Sequence, residues 1–255
     1  MDPLHLEGSL SVLAALEAGV REVQAVYFQA GKEIRDSARI RAAAQQRHLE
    51  INVVPGPELD TLAQGHSHGG VLALAGPRIY LMLDQLASGQ PNAFVAMLYG
   101  VEDPYNYGQA IRALYAAGAH GLVAPERNWD NALSVIARAS AGASEYMPTA
   151  KVIKPEEAIA HFKARGFTVA STAKEPQAVS LYATDLHGPL FVLIGGERRG
   201  LGAAALAACD LHLTVPYGRA FHADLDVTSS TAALAFEVMR QRVWPQRKHS
   251  KGKDQ

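Results

Sequence analysis

Residues 94–124 read FVAMLYGVEDPYNYGQAIRALYAAGAHGLVA, and this stretch decides the fold. It opens with an apolar run (94–98), passes through a polar turn (99–108) and continues into an alanine-rich segment with helical spacing (108–117). A second short apolar run follows at residues 121–124. Short apolar runs that alternate with helical segments indicate strands buried on both faces of a parallel sheet. The stretch therefore predicts an α/β fold.

The rest of the C-terminal half continues this alternation. The pattern predicts helices over 131–141, 156–165, 203–208 and 227–242, and strands over 168–171, 191–194 and 211–215. Helices that alternate with parallel strands cover both faces of the sheet. We therefore expect a parallel sheet flanked by helices.

The N-terminal part predicts a smaller α/β unit. Apolar spacing indicates helices over 10–16, 34–48 and 58–63, and strands over 23–28, 51–54 and 71–75. Glycine and proline residues then surround one apolar helix-like segment (79–86), a composition typical of a connector. We therefore expect an N-terminal domain over 1–76, a linker over 77–92, a main domain over 93–245 and a basic, disordered tail over 246–255.

The composition limits the function classes. The chain has 255 residues, 48% of them hydrophobic, and 24 Lys+Arg against 25 Asp+Glu, which excludes wholesale disorder and a strongly basic nucleic-acid binder. The single cysteine, Cys209, excludes an internal disulfide and a multi-cysteine metal site. No apolar run approaches the roughly 20 residues of a membrane span. We expect a cytoplasmic protein without a bound metal or a membrane partner.

Three polar segments follow predicted strands, where open α/β sheets place their ligands. They are residues 100–112 (GVEDPYNYGQAIR), 193–201 (LIGGERRGL) and 215–231 (VPYGRAFHADLDVTSST). The second fits neither a P-loop nor the GxGxxG dinucleotide motif, which disfavours a generic nucleotide-binding enzyme. Purely structural interpretations also exist: Asn106 as a helix cap, Arg112 as a surface cation, and Asp226 with its neighbours as an N-cap.

In this order and spacing, the segments resemble the motifs of the SpoU (TrmH-like) branch of the SPOUT methyltransferases. That family shows Asp-Pro-x-Asn-x-Gly-x-x-x-Arg, then Gly-Ser-Glu-x-x-Gly, then Ser-Leu-Asn-Val-Ser before a helix that ends in Arg-Gln. The matching stretches are residues 103–112, 195–200, 224–228 and 240–242. Residues 6–13 and 68–73 resemble pieces of the family's N-terminal, RNA substrate-binding domain.

The resemblance implies a C-terminal domain folded as a deep trefoil knot that binds S-adenosylmethionine, and a homodimer with the site at the subunit interface. It implies methyl transfer to a ribose 2′-hydroxyl of ribosomal or transfer RNA, and the separate N-terminal domain favours ribosomal RNA. By position, it implies Asn106, Arg112 and Glu197 as polar active-site residues. The implied cofactor-binding residues are Leu193, Ile194, Gly195, Gly196, Glu197, Val215, Pro216, Gly218, Leu225 and Thr228.

The chain departs from the family pattern at its motifs. Asp224 and Asp226 replace the Ser and Asn of the third motif, and Gly196 replaces the Ser of the second. Because an arginine with a pKa above about 12 is a poor base, we expect Arg112 to orient and polarise the hydroxyl. Asp226 is then a hypothetical proton acceptor in catalysis. The replacements leave an alternative open: a catalytically altered relative that binds RNA or S-adenosylmethionine without normal turnover.

Local clusters of cations, rather than the net charge, would have to bind RNA. The candidates are Arg35, Arg39, Arg41 and Arg47 in the N-terminal domain, Arg240 and Arg242 at the end of the last predicted helix, and the basic tail. An ordinary solvated helix face explains the N-terminal cluster equally well, as does a frayed terminus for the tail.

Overall fold

The computed structural model describes residues 3–65, 68–127, 129, 132–173, 175, 177–196 and 200–243. The predicted tail over 246–255 and the predicted site residue Glu197 lie outside these ranges. Within them, the chain forms one four-stranded and one seven-stranded sheet. No helix in the described ranges is both long and apolar enough to cross a bilayer.

The N-terminal unit is built on the four-stranded sheet. Its strands lie in the order β1-β4-β2-β3, with β4 antiparallel to β1 and β2, and with β2 and β3 parallel. The elements are β1 (Leu4–Glu7), α1 (Ser9–Ala18), β2 (Val23–Gln29), α2 (Ser37–Gln46), β3 (Ile51–Val54), α3 (Gly56–Leu62) and β4 (Val71–Ala75). The predicted strands and helices are confirmed here. Only β1, four residues long, carried no recognised signal.

The C-terminal half is built on the seven-stranded sheet. Its elements are β5 (Phe94–Tyr99), α4 (Pro104–Ala116), β6 (Gly121–Pro125), α5 (Leu133–Ala139), α6 (Ala143–Tyr146), β7 (Thr149–Val152), α7 (Pro155–Ala164), β8 (Thr168–Thr172), β9 (Val179–Ser180), β10 (Leu190–Gly195), α8 (Ala203–Ala207), β11 (Leu211–Thr214) and α9 (Val227–Val243). The strand order is β7-β6-β5-β10-β8-β11-β9, and every pairing is parallel. The predicted α/β class with a parallel sheet flanked by helices is confirmed.

The central strand β5 shows why its sequence is continuously apolar. Phe94, Ala96 and Leu98 pack into one core cluster, whereas Val95 and Met97 pack into a second cluster. Successive side chains of a strand point to opposite faces of the sheet. Both faces of β5 are therefore covered, so neither set of residues is free to be polar.

Two sequence predictions were wrong in detail. Residues 79–86, predicted to be helix-like, instead hold an isolated parallel bridge from Leu81 to Ala150 and a 3-10 turn over Leu83–Gln85. Helix α4 begins at Pro104, four residues before the predicted start. Pro104 suits a first helical position because its missing N–H has no intrahelical acceptor there. Asn106 consequently lies in the first turn of α4.

Candidate active site

A cavity of about 390 Å³ opens at the carboxyl ends of β8, β10 and β11, beside the start of α9. Parallel strands end at the same edge of the sheet, so separate loops meet there. The volume lies within the roughly 300–1,000 Å³ that is typical of small-molecule sites. The lining residues are Thr172, Ala173, Glu175, Leu181, Gly195, Gly196, Gly200, Leu201, Leu206, Leu213, Thr214, Val215, Tyr217, Asp224, Leu225, Val227, Ser230 and Leu234.

The structure brings four predicted cofactor residues to this cavity: Gly195, Gly196, Val215 and Leu225 all line it. Pro216, Gly218 and Thr228 are sequence neighbours of lining residues. Leu193 and Ile194 are fully buried in β10 and pack into the two core clusters on opposite faces of the sheet. Their part in the site is therefore to hold the strand that delivers Gly195 and Gly196.

Sequence reasoning did not identify the part of the cavity wall that follows β8, or Tyr217. Thr172, Ala173 and Glu175 follow β8, and Tyr217 follows β11. The Tyr217 hydroxyl accepts a hydrogen bond from the Leu225 amide at 3.0 Å, so Tyr217 ties down the loop that precedes α9. The predicted strand over 168–171 was the available signal for the first group, since its carboxyl end shares an edge with the other two loops.

Gly196 lies where two backbone segments cross. A Cβ atom at this position would stand 2.1 Å from the carbonyl oxygen of Gly100 and 2.8 Å from the amide nitrogen of Val101. Both are backbone atoms of the loop after β5, so they have little freedom to move away. The glycine that replaces the family's Ser is therefore required by the backbone packing of this chain.

Helix α4 carries Asn106 and Arg112. Its N-cap is Asp103, whose side chain accepts hydrogen bonds from the amides of Tyr105 and Asn106, so the capping interpretation of Asn106 is wrong. Arg112 is exposed, and its guanidinium makes no hydrogen bond or ion pair within the described part of the chain. Six helical residues span about 9 Å and roughly 240° of rotation. Asn106 and Arg112 therefore point to different sides of α4, which packs against α9.

Asp226 acts as a cap for α9. Its carboxylate accepts hydrogen bonds from the Ser229 amide (2.8 Å) and the Ser229 hydroxyl (2.7 Å). These hydrogen bonds, chiefly the one from the hydroxyl, lower the pKa of Asp226 below its usual value. A carboxylate with a lowered pKa is a weaker proton acceptor. The contacts therefore favour the capping interpretation of Asp226 over a role as base.

One face of α9 forms a wall of the cavity. Val227, Ser230 and Leu234 are spaced three and four residues apart, so they share this face, and all three line the cavity. Apolar side chains and loop backbone together fit a ligand with a flat apolar part and polar edges, as in S-adenosylmethionine.

The predicted RNA-binding cations differ in how they are engaged. The Arg242 guanidinium donates to the carbonyl oxygens of Leu186 (3.1 Å), Asn92 (2.6 Å) and Gly188 (2.7 Å), and burial lowers its pKa. Arg240 forms a paired contact with Glu237, with both N···O distances at 2.7 Å. Arg242 thus joins the end of α9 to two loops, which is a structural role.

Three of the four predicted cations of the N-terminal unit remain at the surface, whereas the half-buried Arg47 donates through Nε to the carbonyl oxygen of Leu16. The side chains of Arg35 and Arg39 are 79% and 61% exposed. Arg39 contacts Glu17 at 3.1 Å, and the Arg41 guanidinium stacks over the Phe28 ring at 4.9 Å. Exposed guanidiniums remain available to phosphates, so this cluster keeps the geometry that its prediction needs.

The sequence matches two family profiles. Residues 93–235 match the SpoU rRNA Methylase family, and residues 5–81 match the family described as RNA 2′-O ribose methyltransferase substrate binding. The chain is 29% identical to the 23S rRNA (guanosine-2′-O-)-methyltransferase RlmB of Ralstonia nicotianae, over 93% of this chain and 95% of that protein. It is 32% identical to the putative TrmH family tRNA/rRNA methyltransferase YacO of Bacillus subtilis, over 78% and 80%.

The fold has solved relatives. The SpoU methyltransferase AviRb of Streptomyces viridochromogenes, in complex with AdoMet, superposes with a TM-score of 0.76 at 22% identity, over 95% of this chain and 91% of that chain. An AdoMet-bound rRNA methyltransferase of Sinorhizobium meliloti gives 0.77 at 24% identity, over 94% and 88%. The fold, the motif order and the profile over residues 93–235 agree, and the chain belongs to the SpoU rRNA methylase family.

Proposed function

We propose that this SpoU methylase transfers a methyl group from S-adenosylmethionine to a ribose 2′-hydroxyl in structured RNA, and that the RNA is ribosomal. The cavity where the loops after β8, β10 and β11 meet is the observation that carries the proposal, because it lies within the methylase profile. The choice of RNA is supported by the relative from Ralstonia nicotianae, which is named as a 23S rRNA methyltransferase and which this chain matches over nearly its whole length.

The chain's own residues would have distinct tasks. When bound, S-adenosylmethionine supplies an electrophilic methyl group to an attacking oxygen. The cavity loops, through Gly195, Gly196 and Val215, would hold it by backbone contacts. Arg112 would orient and polarise the ribose hydroxyl, with Asn106 as a second polar contact. Alignment of this kind contributes roughly 7–11 kcal/mol in favourable cases, so positioning carries most of the rate.

Normal turnover is compatible with the altered motif residues. The carboxylate of Asp226 caps α9, and a cap at this position does not require a different methyl-transfer reaction. Gly196 is dictated by the approach of Gly100 rather than by a lost catalytic group. We therefore assign two of the departures from the family pattern, Asp226 and Gly196, to local structure, with Asp226 positioning the start of α9.

The assembly and the chain path belong to the same proposal. We expect a homodimer, supported by exposed apolar side chains on the packed pair α4 and α9: Tyr105 (55% exposed), Phe236 (43%) and Val243 (58%). A second copy would also let Asn106 and Arg112, on different sides of α4, serve one ribose. The insertion of β10 between β5 and β8 supports a trefoil knot. Light scattering at defined protein concentration tests the dimer.

The domain plan completes the proposal. We assign RNA binding to residues 1–76 and methyl transfer to residues 93–245, joined through 77–92, in a cytoplasmic protein. The exposed Arg35, Arg39 and Arg41 would contact phosphates. If they do, the logarithm of the RNA binding constant falls linearly with the logarithm of the salt concentration. A slope near zero would refute this assignment.

The decisive experiment follows labelled methyl groups into RNA. Purified protein, S-adenosylmethionine with a labelled methyl group, and either ribosomal or transfer RNA are incubated, and the product is cleaved with alkali. Because alkaline cleavage needs a free 2′-hydroxyl, ribose methylation leaves the label in an alkali-resistant dinucleotide. Label recovered in mononucleotides would indicate base methylation and contradict the proposal. Preferential labelling of transfer RNA would contradict the choice of RNA.

A further inference from the structure

A buried ion pair lies at the contact between the N-terminal unit and the methyltransferase domain. Arg21, in the turn between α1 and β2, places its Nε 2.8 Å from Oε2 of Glu145 on α6. The two side chains are each 2% exposed. An ion pair withdrawn from water in this way is costly to break from one side, because the remaining charge stays buried.

Glu145 also faces a second guanidinium. Nη1 of Arg78, which follows β4, lies 3.8 Å from Oε1 of Glu145 and 2.5 Å from the carbonyl oxygen of Ser144. Nη2 of Arg78 donates to the carbonyl oxygen of Met147 at 2.7 Å. Burial lowers the pKa of Arg78, and the charge of Glu145 opposes this change. Two buried guanidiniums from the N-terminal part of the chain therefore share one carboxylate of the methyltransferase domain.

Other contacts surround this cluster. Glu7 on β1 accepts hydrogen bonds from the amides of Gln64 and Gly65, and its second oxygen lies 3.0 Å from Nη1 of Arg138 on α5. Ala137 of α5 packs into the apolar core of the N-terminal unit. The turn at Gly142 lies so close to α1 that a Cβ there would stand 2.6 Å from the carbonyl oxygen of Leu10. Apolar packing and charge thus act on the same contact.

The segment that joins the two halves is itself attached. The Ile79 amide donates to the carbonyl oxygen of Val20 at 2.8 Å, on the N-terminal side. The Leu81 amide donates to the carbonyl oxygen of Thr149 on β7 at 2.9 Å, on the methyltransferase side. The segment over 79–81 is therefore hydrogen-bonded to both the N-terminal unit and the methyltransferase domain, the two surfaces that Glu145 also joins; we call it the strap.

We propose that Glu145 is a positioning residue that fixes the RNA-binding unit against the methyltransferase domain, so that both meet the RNA as one rigid body. The proposal rests on the proposed function for the RNA part only. A fixed spacing avoids the entropy cost of bringing two mobile parts onto one RNA. It also raises the effective concentration of the second binding surface once the first is engaged. No lining residue of the cofactor cavity belongs to the Glu145 cluster.

The test replaces Glu145 by Gln, which keeps the shape of the side chain and removes its charge. We expect the KM for RNA to rise about tenfold or more, whereas the Kd for S-adenosylmethionine, measured by calorimetry, stays within about twofold. Hydrogen exchange at the Leu81 amide should accelerate, because the strap detaches. A general loss of structure would weaken cofactor binding as well, so the split between the two constants identifies positioning. Glu145→Asp should recover part of the RNA affinity.

Two further variants keep the test decisive. Arg138→Gln removes the ion pair with Glu7. Because the Arg138 side chain is 40% exposed, we expect this variant to fold even if Glu145→Gln does not. It should shift KM and Leu81 exchange in the same direction. Lys163→Gln is the matched control, because it removes a 2.6 Å ion pair with Asp210 that lies within the methyltransferase domain. It should change neither quantity.

Unchanged KM and unchanged Leu81 exchange in both Glu145→Gln and Arg138→Gln would overturn the proposal. An equal effect of Lys163→Gln on the KM and on Leu81 exchange would also overturn it, because the effect would then follow from the loss of any ion pair in the protein. If the unmodified protein binds S-adenosylmethionine and methylates no RNA, the proposed function fails instead. The exchange measurement still reports in that case whether Glu145 holds the two units together.

Discussion

Restoring the family's Ser at position 196 should damage this protein. Substitutions toward a family's usual residue commonly stabilise a protein by about 0.5–2 kcal/mol. In this chain, Gly196→Ser places a Cβ atom 2.1 Å from the carbonyl oxygen of Gly100. That separation is about 1.3 Å short of ordinary van der Waals contact. The expected sign is therefore the opposite of the usual one.

The size of the effect follows from what must move. The nearest atoms to the new Cβ are the carbonyl oxygen and carbon of Gly100 and the amide nitrogen of Val101, all of them backbone. Overpacking that forces backbone shifts costs about 1–3 kcal/mol and sometimes more. We expect a loss of about 3 kcal/mol of unfolding free energy. For a domain of this size, that corresponds to a fall in Tm of about 6–12 °C.

The assay pairs thermal unfolding with calorimetric titration of S-adenosylmethionine. Because Gly196 lines the cavity, the displacement that relieves the overlap also moves the cavity wall, and cofactor affinity should fall together with Tm. Gly196→Ala makes the same Cβ contact without a hydroxyl. It should lose as much stability as the Ser variant if the overlap is the cause.

Gly202→Ser is the matched control. No heavy atom lies within 4 Å of the position of its Cβ, and Gly202 is the N-cap of α8 with φ −60°. Ser at an N-cap is at least as favourable as Gly, so the Tm should stay the same or rise slightly. A Gly196→Ser protein with the wild-type Tm and cofactor affinity would refute the reasoning, since the backbone crossing would then have room for a side chain.

Three further outcomes are expected. Asp226→Asn should retain the single-turnover rate of methyl transfer within a few-fold, because the side chain mainly caps α9, and a thousandfold loss of rate would instead identify Asp226 as the base. Asp226→Ala should lose about 1 kcal/mol of unfolding free energy, measured in urea. Arg242→Gln should lose about 1–3 kcal/mol of unfolding free energy through its unpaired carbonyl partners, and should leave the salt dependence of RNA binding unchanged; a smaller salt slope would instead indicate a phosphate contact. Burial, together with the charge of Arg242, lowers the pKa of His120 below 6.5, so the folded state binds this proton less readily than the unfolded state and loses stability as the pH falls below about 6.5. His120→Gln should make the Tm less dependent on pH between 5 and 7, and identical pH profiles would contradict this.

The chain's local patterns were sufficient for most of the fold. Strand β5 could be predicted because a strand buried on both faces must be apolar at every position, and residues 94–98 are. Helices α1, α4 and α9 were predictable from the spacing of their apolar residues. Among the missed strands, β1 and β7 are four residues long and each contains a charged residue, Glu7 and Lys151. The equally short β3 has three β-branched residues in its four positions, which is a strand signal. The order of three polar motifs was enough to indicate the family.

The site was only partly predictable. Gly195, Gly196, Val215 and Leu225 were named from motif positions and line the cavity. The opposing wall after β8 was not named, because nothing in residues 172–175 looks unusual until the sheet brings their strand beside β10 and β11. Side-chain roles were harder still. The sequence suggests that Arg242 contacts RNA, but in the structure its guanidinium donates to backbone carbonyl oxygens, one of them 150 residues away along the chain.

The sequence by itself determined the α/β class, the parallel sheet and the family, because these depend on periodicity and on motif order. Only the tertiary structure decided why position 196 must be glycine, that the carboxylate of Asp226 caps a helix, and that Glu145 joins the two halves of the chain. Each of these depends on a contact or a hydrogen-bonding geometry that spacing alone leaves open. Gly196 meets Gly100, and Glu145 meets Arg21 across 124 residues. Local patterns specify which elements form, whereas distant contacts are fixed only when those elements pack.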